Sequence, residues 1–436
     1  MRTLKFGGTS VGSAERMHAL IRLINNDVPK IVVLSAMSGT TNSLTEIAAA
    51  LFSKDDHKAK QLIDALHLKY NEVVKQLYRG DEFVSKGNAL LDFHFNYLHS
   101  LLGKTFSKDD ECEVLAGGEL LSTALFHFCL EENKIESVLL PALNFMRIDE
   151  NEEPDLNYII RAIKVELEKY PGKKLFITQG YICKNSRNKV DNLKRGGSDY
   201  TATLIGAAIQ SDEIQIWTDI DGMHNNDPRV VNNTRPIDEL SFDEAAELAY
   251  FGAKILHPTC VLPAKMKNVP VRLLNTMKPE AKGTIISSFS KTDGIKAIAA
   301  KDGITAIKIK SGRMLLAYGF LRAVFEIFER YKTPIDMITT SEVAVSLTID
   351  DKKNLDAIIN ELKEFCSVDV DPDLSIVCIV GNFSAQKQGY ASRIFSSLKN
   401  IPIRMISYGG SENNVSILVE TKLKKETLVA LNEGLF

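Results

Sequence analysis

Cysteine is sparse and scattered in this chain: Cys112, Cys129, Cys183, Cys260, Cys366 and Cys378 lie far apart, and no CxxC pair occurs. That spacing argues against a disulfide framework and against a zinc site. The eight histidines include no HExxH, and His94 and His99 stand five apart, a poor spacing for one helix face. They read as surface or core residues, and no structural metal is expected. No apolar run reaches the roughly 20 residues of a membrane span. The N-terminus, Met1 to Phe6, lacks the apolar stretch of a signal peptide. With 53 Lys and Arg against 56 Asp and Glu, there is no basic excess to follow a nucleic acid. These absences predict a cytoplasmic protein without membrane or nucleic-acid partners.

What is present is an ordinary globular composition, 44% hydrophobic and 25% charged over 436 residues. That length suits about two to four domains. Over residues 1–285, strand-like and helix-like segments alternate. Thr3–Phe6 reads as a short buried strand, Gly7-Gly8 as a turn, and Ser10 or Ser13 as the cap of a helix from about Ala14 to Asn25. Ile31–Leu34 is a continuous apolar run, as in a strand buried on both faces. Residues 55–130 read as mostly helical. Further strands are expected at Ser137–Leu140, Leu175–Gln179, Ile214–Thr218 and Val269–Leu274, with helices at Tyr200–Ile209 and Phe242–Phe251. The pattern predicts an α/β sandwich on a mainly parallel sheet, with ligands outside the carboxyl ends of the strands.

Character changes after Ser287. Ser287–Gly294 reads as a linker, and an internal repeat follows. Pro334–Ile338 matches Pro402–Ile406, and Val345–Leu347 matches Val415–Ile417. A helix opened by glycine precedes each proline, Gly319–Arg330 and Gly389–Lys399. Two βαββαβ modules of about 70 residues fit this order.

Five segments could carry chemistry. Lys5–Ser13 is a strand-to-helix turn whose amides suit phosphate. It is not a Walker A loop, because Ser13 stands at the lysine position, nor a dinucleotide fingerprint, because Thr9 replaces the second glycine. Lys194–Thr201 brings Arg195 and Asp199 close together, a pairing that suits a zwitterion; a capped helix with a local ion pair would read the same. Gly117–Ser122 puts Glu119 after two glycines, where a helix dipole alone would favour an acid. Trp217–Arg229 offers Asp219, Asp221 and Arg229 in a run of turns. Phe251–Pro258 places Lys254 after a glycine that ends a helix. Each alone is open to a bland reading as turn or solvated surface.

In this order the five segments resemble the aspartate kinases of the amino-acid-kinase family, and the resemblance covers essentially the whole chain. It implies an amino-acid-kinase αβα sandwich at 1–287. A linker and first ACT module at 288–371 follow, then a second ACT module at 372–436 completed by a strand from about 295–301. With no further segment for a homoserine dehydrogenase, the monofunctional, lysine-sensitive type is implied. Lys5, Gly7, Gly8, Thr9 and Ser10 would then contact the ATP phosphates. Thr41, Glu119, Arg195 and Asp199 would hold aspartate. Thr218, Asp219, His224, Arg229 and Lys254 would hold the nucleotide, with Lys5, Arg195, Asp199 and Lys254 catalytic. His224 stands where many relatives have tyrosine, and Lys194 where they have glycine. Met314, Gly319, Phe320, Leu321, Asp336, Thr340 and Ser341 fall on the effector pattern of lysine-sensitive members, with Asp336 facing the effector's ammonium. Mg²⁺ with ATP, L-aspartate, a feedback amino acid (lysine) and a homodimer or dimer of dimers are implied alongside. The acceptor carboxylate, with a reference pKa of about 4, is already ionised, so no general base is needed. The rival is a catalytically inactive amino-acid sensor of the same fold.

Overall fold

The apolar runs of the first 290 residues become adjacent strands of one sheet. A computed structural model describes residues 1–194, 196–252, 258–290, 294–311, 318–383 and 388–436. They fall into two units: Met1–Met223, Asp238–Phe242 and Ile255–Ser290, and His224–Ile237, Asp243–Lys254 and Lys291–Phe436.

In the first unit the strands are β1 (Arg2–Phe6), β2 (Lys30–Leu34), β3 (Val138–Leu140), β4 (Leu175–Gln179), a side hairpin of β5 (Ile182–Lys184) and β6 (Val190–Asn192), then β7 (Ile214–Thr218), β8 (Glu239–Ser241), β9 (Val271–Asn275) and β10 (Thr284–Ser287). Eight of them make one sheet in the order β3-β4-β2-β1-β7-β9-β10-β8. Pairing is parallel from β3 to β9, and β10 turns antiparallel against β9. Every residue of β2 and β4 is buried, as strands covered on both faces require.

The helices of this unit are α1 (Ala14–Ile24), α2 (Thr40–Phe52), α3 (Asp56–Leu77), α4 (Asp81–Ser100), α5 (Lys108–Glu132), α6 (Leu156–Glu168), α7 (Gly197–Ala208) and α9 (Pro258–Lys267); α8 (Phe242–Tyr250) leads into the second unit. Ser13 caps α1 by accepting from the Arg16 amide at 3.3 Å. Apolar side chains of α1 to α5 share one core with Leu4 and Phe6 of β1, Val32 and Leu34 of β2, and Leu175 and Ile177 of β4. Helix α5 is long and apolar enough to cross a membrane, but 67% of that stretch is buried here, as in a core helix.

The second unit is a six-stranded sheet in the order β12-β13-β11-β14-β16-β15. Its strands are β11 (Ile295–Lys310), β12 (Ile338–Thr340), β13 (Ala344–Ile349), β14 (Ser367–Gly381), β15 (Met405–Tyr408) and β16 (Asn414–Glu420). Its remaining helices are α10 (Phe320–Arg330), α11 (Leu355–Lys363), α12 (Tyr390–Ser397) and α13 (Lys424–Leu435). The long strands β11 and β14 serve both repeats. Residues 305–310 of β11 pair with β13, while Ile295–Lys301 pair only with the far half of β14, which itself pairs with β16. The register shifts between Lys301 and Ile304, around Gly303 with φ of 80°. Each repeat has its own core, one around Phe328 and Leu347 and the other around Ile394 and Ile417. Val231, from the His224–Ile237 segment, joins the second of these.

Helix α8 is fastened to this unit by a polar face with a residue every third position. Glu244 pairs with Lys296 at 2.8 Å, with side chains only 3% and 4% exposed. Glu247 accepts from Ser411 at 3.0 Å and Asn414 at 2.5 Å. Tyr250 donates to Asp336 at 2.8 Å. Breaking a buried pair leaves a dry charge behind. Lys296→Met is expected to lower the unfolding free energy of this unit by about 3 kcal/mol, and adding Glu244→Met to restore most of it. Chemical denaturation of the single and double variants checks this; a double variant no better than the single one refutes it.

Candidate active site

Strand alternation decides which way Lys5 points. Leu4 and Phe6 face the core shared with α1 to α5, so Lys5 between them faces the other layer, where α7 lies. Its ammonium sits 2.6 Å from Asp199 Oδ1 in the first turn of α7, an ion pair by distance that lacks the alignment of a hydrogen bond. The two side chains are 11% and 15% exposed. An ammonium this buried needs an anion beside it.

The loops after β1, β2, β4 and β7 gather at one edge, because Phe6 is level with Leu34 and Trp217, and Leu34 with Gln179. Gly7 lies against Lys5: a Cβ there would stand 3.4 Å from the Lys5 ammonium. A Cβ on Gly8 would stand 2.8 Å from the Ala36 carbonyl, and the Gly8 carbonyl accepts from the Ser38 amide at 3.2 Å. Thr9 is exposed, and buried Ser10 shares a 2.8 Å hydrogen bond with Thr276. Thr41 is exposed in the first turn of α2, behind Gly39, whose φ of 81° suits glycine. Lys69, which sequence reasoning missed, donates to the Ser38 carbonyl at 2.8 Å in this loop.

Glu119 reaches the same loop from the middle of α5, not from a helix start. Its Oε1 accepts from the Ala36 amide at 3.1 Å, and its Oε2 is buried without a hydrogen-bond partner among the described residues. Burial pushes its carboxyl up to about 8, against the lowering effect of the Ala36 amide. Gly118 is there for space: a Cβ would stand 2.9 Å from that of Ala36.

Two glycines seat α7. A Cβ on Gly180, just after β4, would stand 2.5 Å from Ser198 Oγ and 2.9 Å from Ser198 Cα; one on Gly197 would stand 2.5 Å from the Tyr181 ring. The Tyr181 amide donates to Thr201 Oγ1 at 2.9 Å. Lys194, with a φ of 58°, points to Glu152 and pairs with it. Arg195 and Lys254 lie outside the described residues.

Thr218 ends β7 and turns the chain by accepting from the Ile220 amide at 3.1 Å; Asp219 after it is exposed. His224 and Arg229 belong to the second unit. His224 shares a 3.0 Å hydrogen bond with Thr234, and Arg229 grips Asp227 bidentately at 2.9 and 2.7 Å. Among the effector candidates, Gly319 caps α10 with a φ of 86°, Phe320 and Leu321 open that helix, and the Ser341 amide donates to the Ala344 carbonyl at 2.8 Å beyond Thr340. Met314 lies outside the described residues.

The seat of α7 is testable. Gly180→Ala is expected to push the first turn of α7 off the sheet and cost about 1–3 kcal/mol of stability, as overpacking does. Thermal unfolding measures it; an unchanged midpoint would show that the turn has room.

Comparison with known proteins agrees with this architecture. Residues 2–275 match the model of the amino acid kinase family, and residues 377–435 match an ACT domain. The lysine-sensitive aspartokinase 3 of Escherichia coli is 33% identical over 99% of this chain and 98% of its own. The crystal structure of E. coli aspartokinase III with aspartate and ADP, in the R-state, superposes with a TM-score of 0.85 at 32% identity, over 100% of both chains. The T-state complex with lysine and aspartate gives 0.81, covering 100% of this chain and 99% of the other. The family match over residues 2–275 and the identity to an aspartokinase over nearly the whole of both chains show that this chain belongs to the aspartokinases of the amino acid kinase family.

Proposed function

We propose that the protein transfers the γ-phosphoryl group of ATP to the β-carboxylate of L-aspartate, at the edge where Lys5 and Glu119 are held, and that lysine restrains it through the repeated modules. The Lys5–Asp199 pair carries this reading. A β-carboxylate oxygen forms the new bond to phosphorus while the bond to the β,γ-bridging oxygen breaks, and ADP leaves with that electron pair. Two anions must approach, so catalysis is positioning and charge neutralisation. Lys5, released from Asp199, is placed to meet phosphoryl oxygens, and the amides of Gly7 to Ser10 to cradle them. Thr41, Glu119, Arg195 and Asp199 hold aspartate, with Arg195 on a carboxylate and Glu119 and Asp199 around the ammonium. Thr218, Asp219, His224, Arg229 and Lys254 take the nucleotide.

Among the described residues no group of three His, Cys, Asp or Glu side chains could hold a metal by itself. Mg²⁺ would come with ATP and supply charge neutralisation at the triphosphate. Asp336 with Gly319, Phe320, Leu321, Thr340, Ser341 and Met314 takes the effector. Pairing of the modules between chains makes a homodimer or larger, and the enzyme works in the cytoplasm.

Incubation with ATP, Mg²⁺, aspartate and hydroxylamine is expected to yield aspartyl hydroxamate, suppressed by added lysine. ATP binding without hydroxamate from any acceptor would point to an inactive sensor instead. Lys5→Met is expected to cut kcat by about two to three decades, the value of one charged contact of about 3 kcal/mol, with the circular dichroism spectrum unchanged. A fully active variant overturns the role of Lys5.

Glu119 sets a pH dependence. With its carboxyl raised to about 8 by burial, the free protein holds it protonated at pH 7. Holding a cationic ammonium requires the ionised form, so binding of aspartate there releases a proton. KM for aspartate should therefore fall as pH rises, by about tenfold per unit, and level off above pH 8. Glu119→Gln, which mimics the protonated acid, should raise KM and flatten this profile; a profile of the same slope would exclude Glu119 from the ammonium site.

A further inference from the structure

Asp336 is already occupied. Lys301 Nζ lies 2.8 Å from Asp336 Oδ1 and 2.8 Å from Asp350 Oδ2. The Tyr250 hydroxyl donates to the same Asp336 Oδ1 at 2.8 Å, and the Lys301 ammonium stands 4.4 Å from the centre of the Tyr250 ring. The chain thus puts one of its own lysine ammonium groups in a cage of two carboxylates and an aromatic face, the surroundings a free alkylammonium prefers. Burial alone would lower the Lys301 pKa, but the bonds to Asp336 and Asp350 outweigh it and hold the amine charged.

Among the described residues the cage holds two acids against one cation, and Asp336 Oδ2 has no hydrogen-bond partner although its side chain is only 1% exposed. A buried oxygen of this kind is costly to leave unmatched. Because Oδ2 is sealed from solvent, a second ammonium cannot simply add beside the first. The cluster has to open, and two like charges at one carboxylate repel.

We propose that Lys301 is a resident stand-in for the effector's ammonium group, so that an amino-acid effector gains Asp336 only by displacing it. The inference rests on the reading of Asp336 as an effector residue and names how that site is regulated. The exchange is also placed to be felt elsewhere in this unit. Lys301 lies at the register shift where β11 passes from one repeat to the other. Tyr250 ends α8, and a Cβ on Gly252, two residues on, would stand 2.2 Å from the carbonyl of Ala300, the neighbour of Lys301. Loss of Lys301 from the cage therefore loosens both the Tyr250 contact and the seat of the segment that leads, in sequence, to Lys254.

Two variants of opposite sign test the exchange by titration calorimetry of L-lysine into the full-length protein. Lys301→Met removes the competitor and should tighten lysine binding about tenfold, since less of the site is closed in the free protein. Lys301→Arg strengthens the competitor, because a guanidinium binds a carboxylate bidentately, and should weaken lysine binding several-fold. Should Lys301→Met fail to fold, the Arg variant decides alone. Wild-type binding of lysine with an unchanged or weaker Met variant, or an unchanged or tighter Arg variant, overturns the exchange and leaves the effector site standing. Wild-type protein that binds no lysine removes the effector reading and this inference together.

Discussion

A buried ammonium must have an anion, and in the first unit that requirement ties sheet to helix. Lys5, one residue before the end of β1, has a side chain only 11% exposed, and Asp199 is the carboxylate that meets it. For Asp199 to arrive there, α7 must begin at Gly197, and for α7 to begin there, Gly180 and Gly197 must leave room for Ser198 and Tyr181. The glycines are thus part of the electrostatics: remove the close approach and the carboxylate moves away from the amine. Under the proposed function a phosphoryl group, with more negative charge than one carboxylate, takes the ammonium over.

The central strands were legible because burial on both faces writes a continuous apolar run: β1, β2, β4 and β7 stand within a residue or two of where the sequence places them. The repeat was legible because two copies of one pattern reinforce each other. The start of α7 was read three residues late, since its first turn is held by a left-handed Gly196 rather than by a capping side chain. Strands β8 and β10 were missed, being three and four residues long with no run to mark them. The attachment of α8 to the second unit was also invisible. It depends on Glu244, Glu247 and Tyr250, polar residues whose partners lie dozens to more than a hundred positions away.

At the site the sequence named residue types better than it named their states. Glu119 drew attention as an acid beside glycines, and a helix start explained it. Its position in the middle of a buried helix reverses the argument: no dipole stabilises its charge, so burial raises its carboxyl to about 8. Lys69 had no motif to announce it, because a lysine on an amphipathic helix is ordinarily solvated; only the fold brings it to the Ser38 carbonyl. Arg229 was marked by its charge, and the structure gives that charge a partner two residues back, in Asp227.

The two units share a physical device although their folds differ. In each, a lysine of the chain pairs with a largely buried carboxylate: Lys5 with Asp199, and Lys301 with Asp336. An empty site lined by an unpaired buried acid would be unstable, so a folded protein that awaits charged ligands must fill it with something. An internal cation meets that need and also sets a threshold, because the ligand has to offer more than the tethered amine does. Under the function proposed above, the newcomer at Lys5 is an anion that takes the ammonium, and at Lys301 it is a cation that takes the carboxylate. On that reading opposite ligands are handled by one kind of pair, a lysine held against a carboxylate.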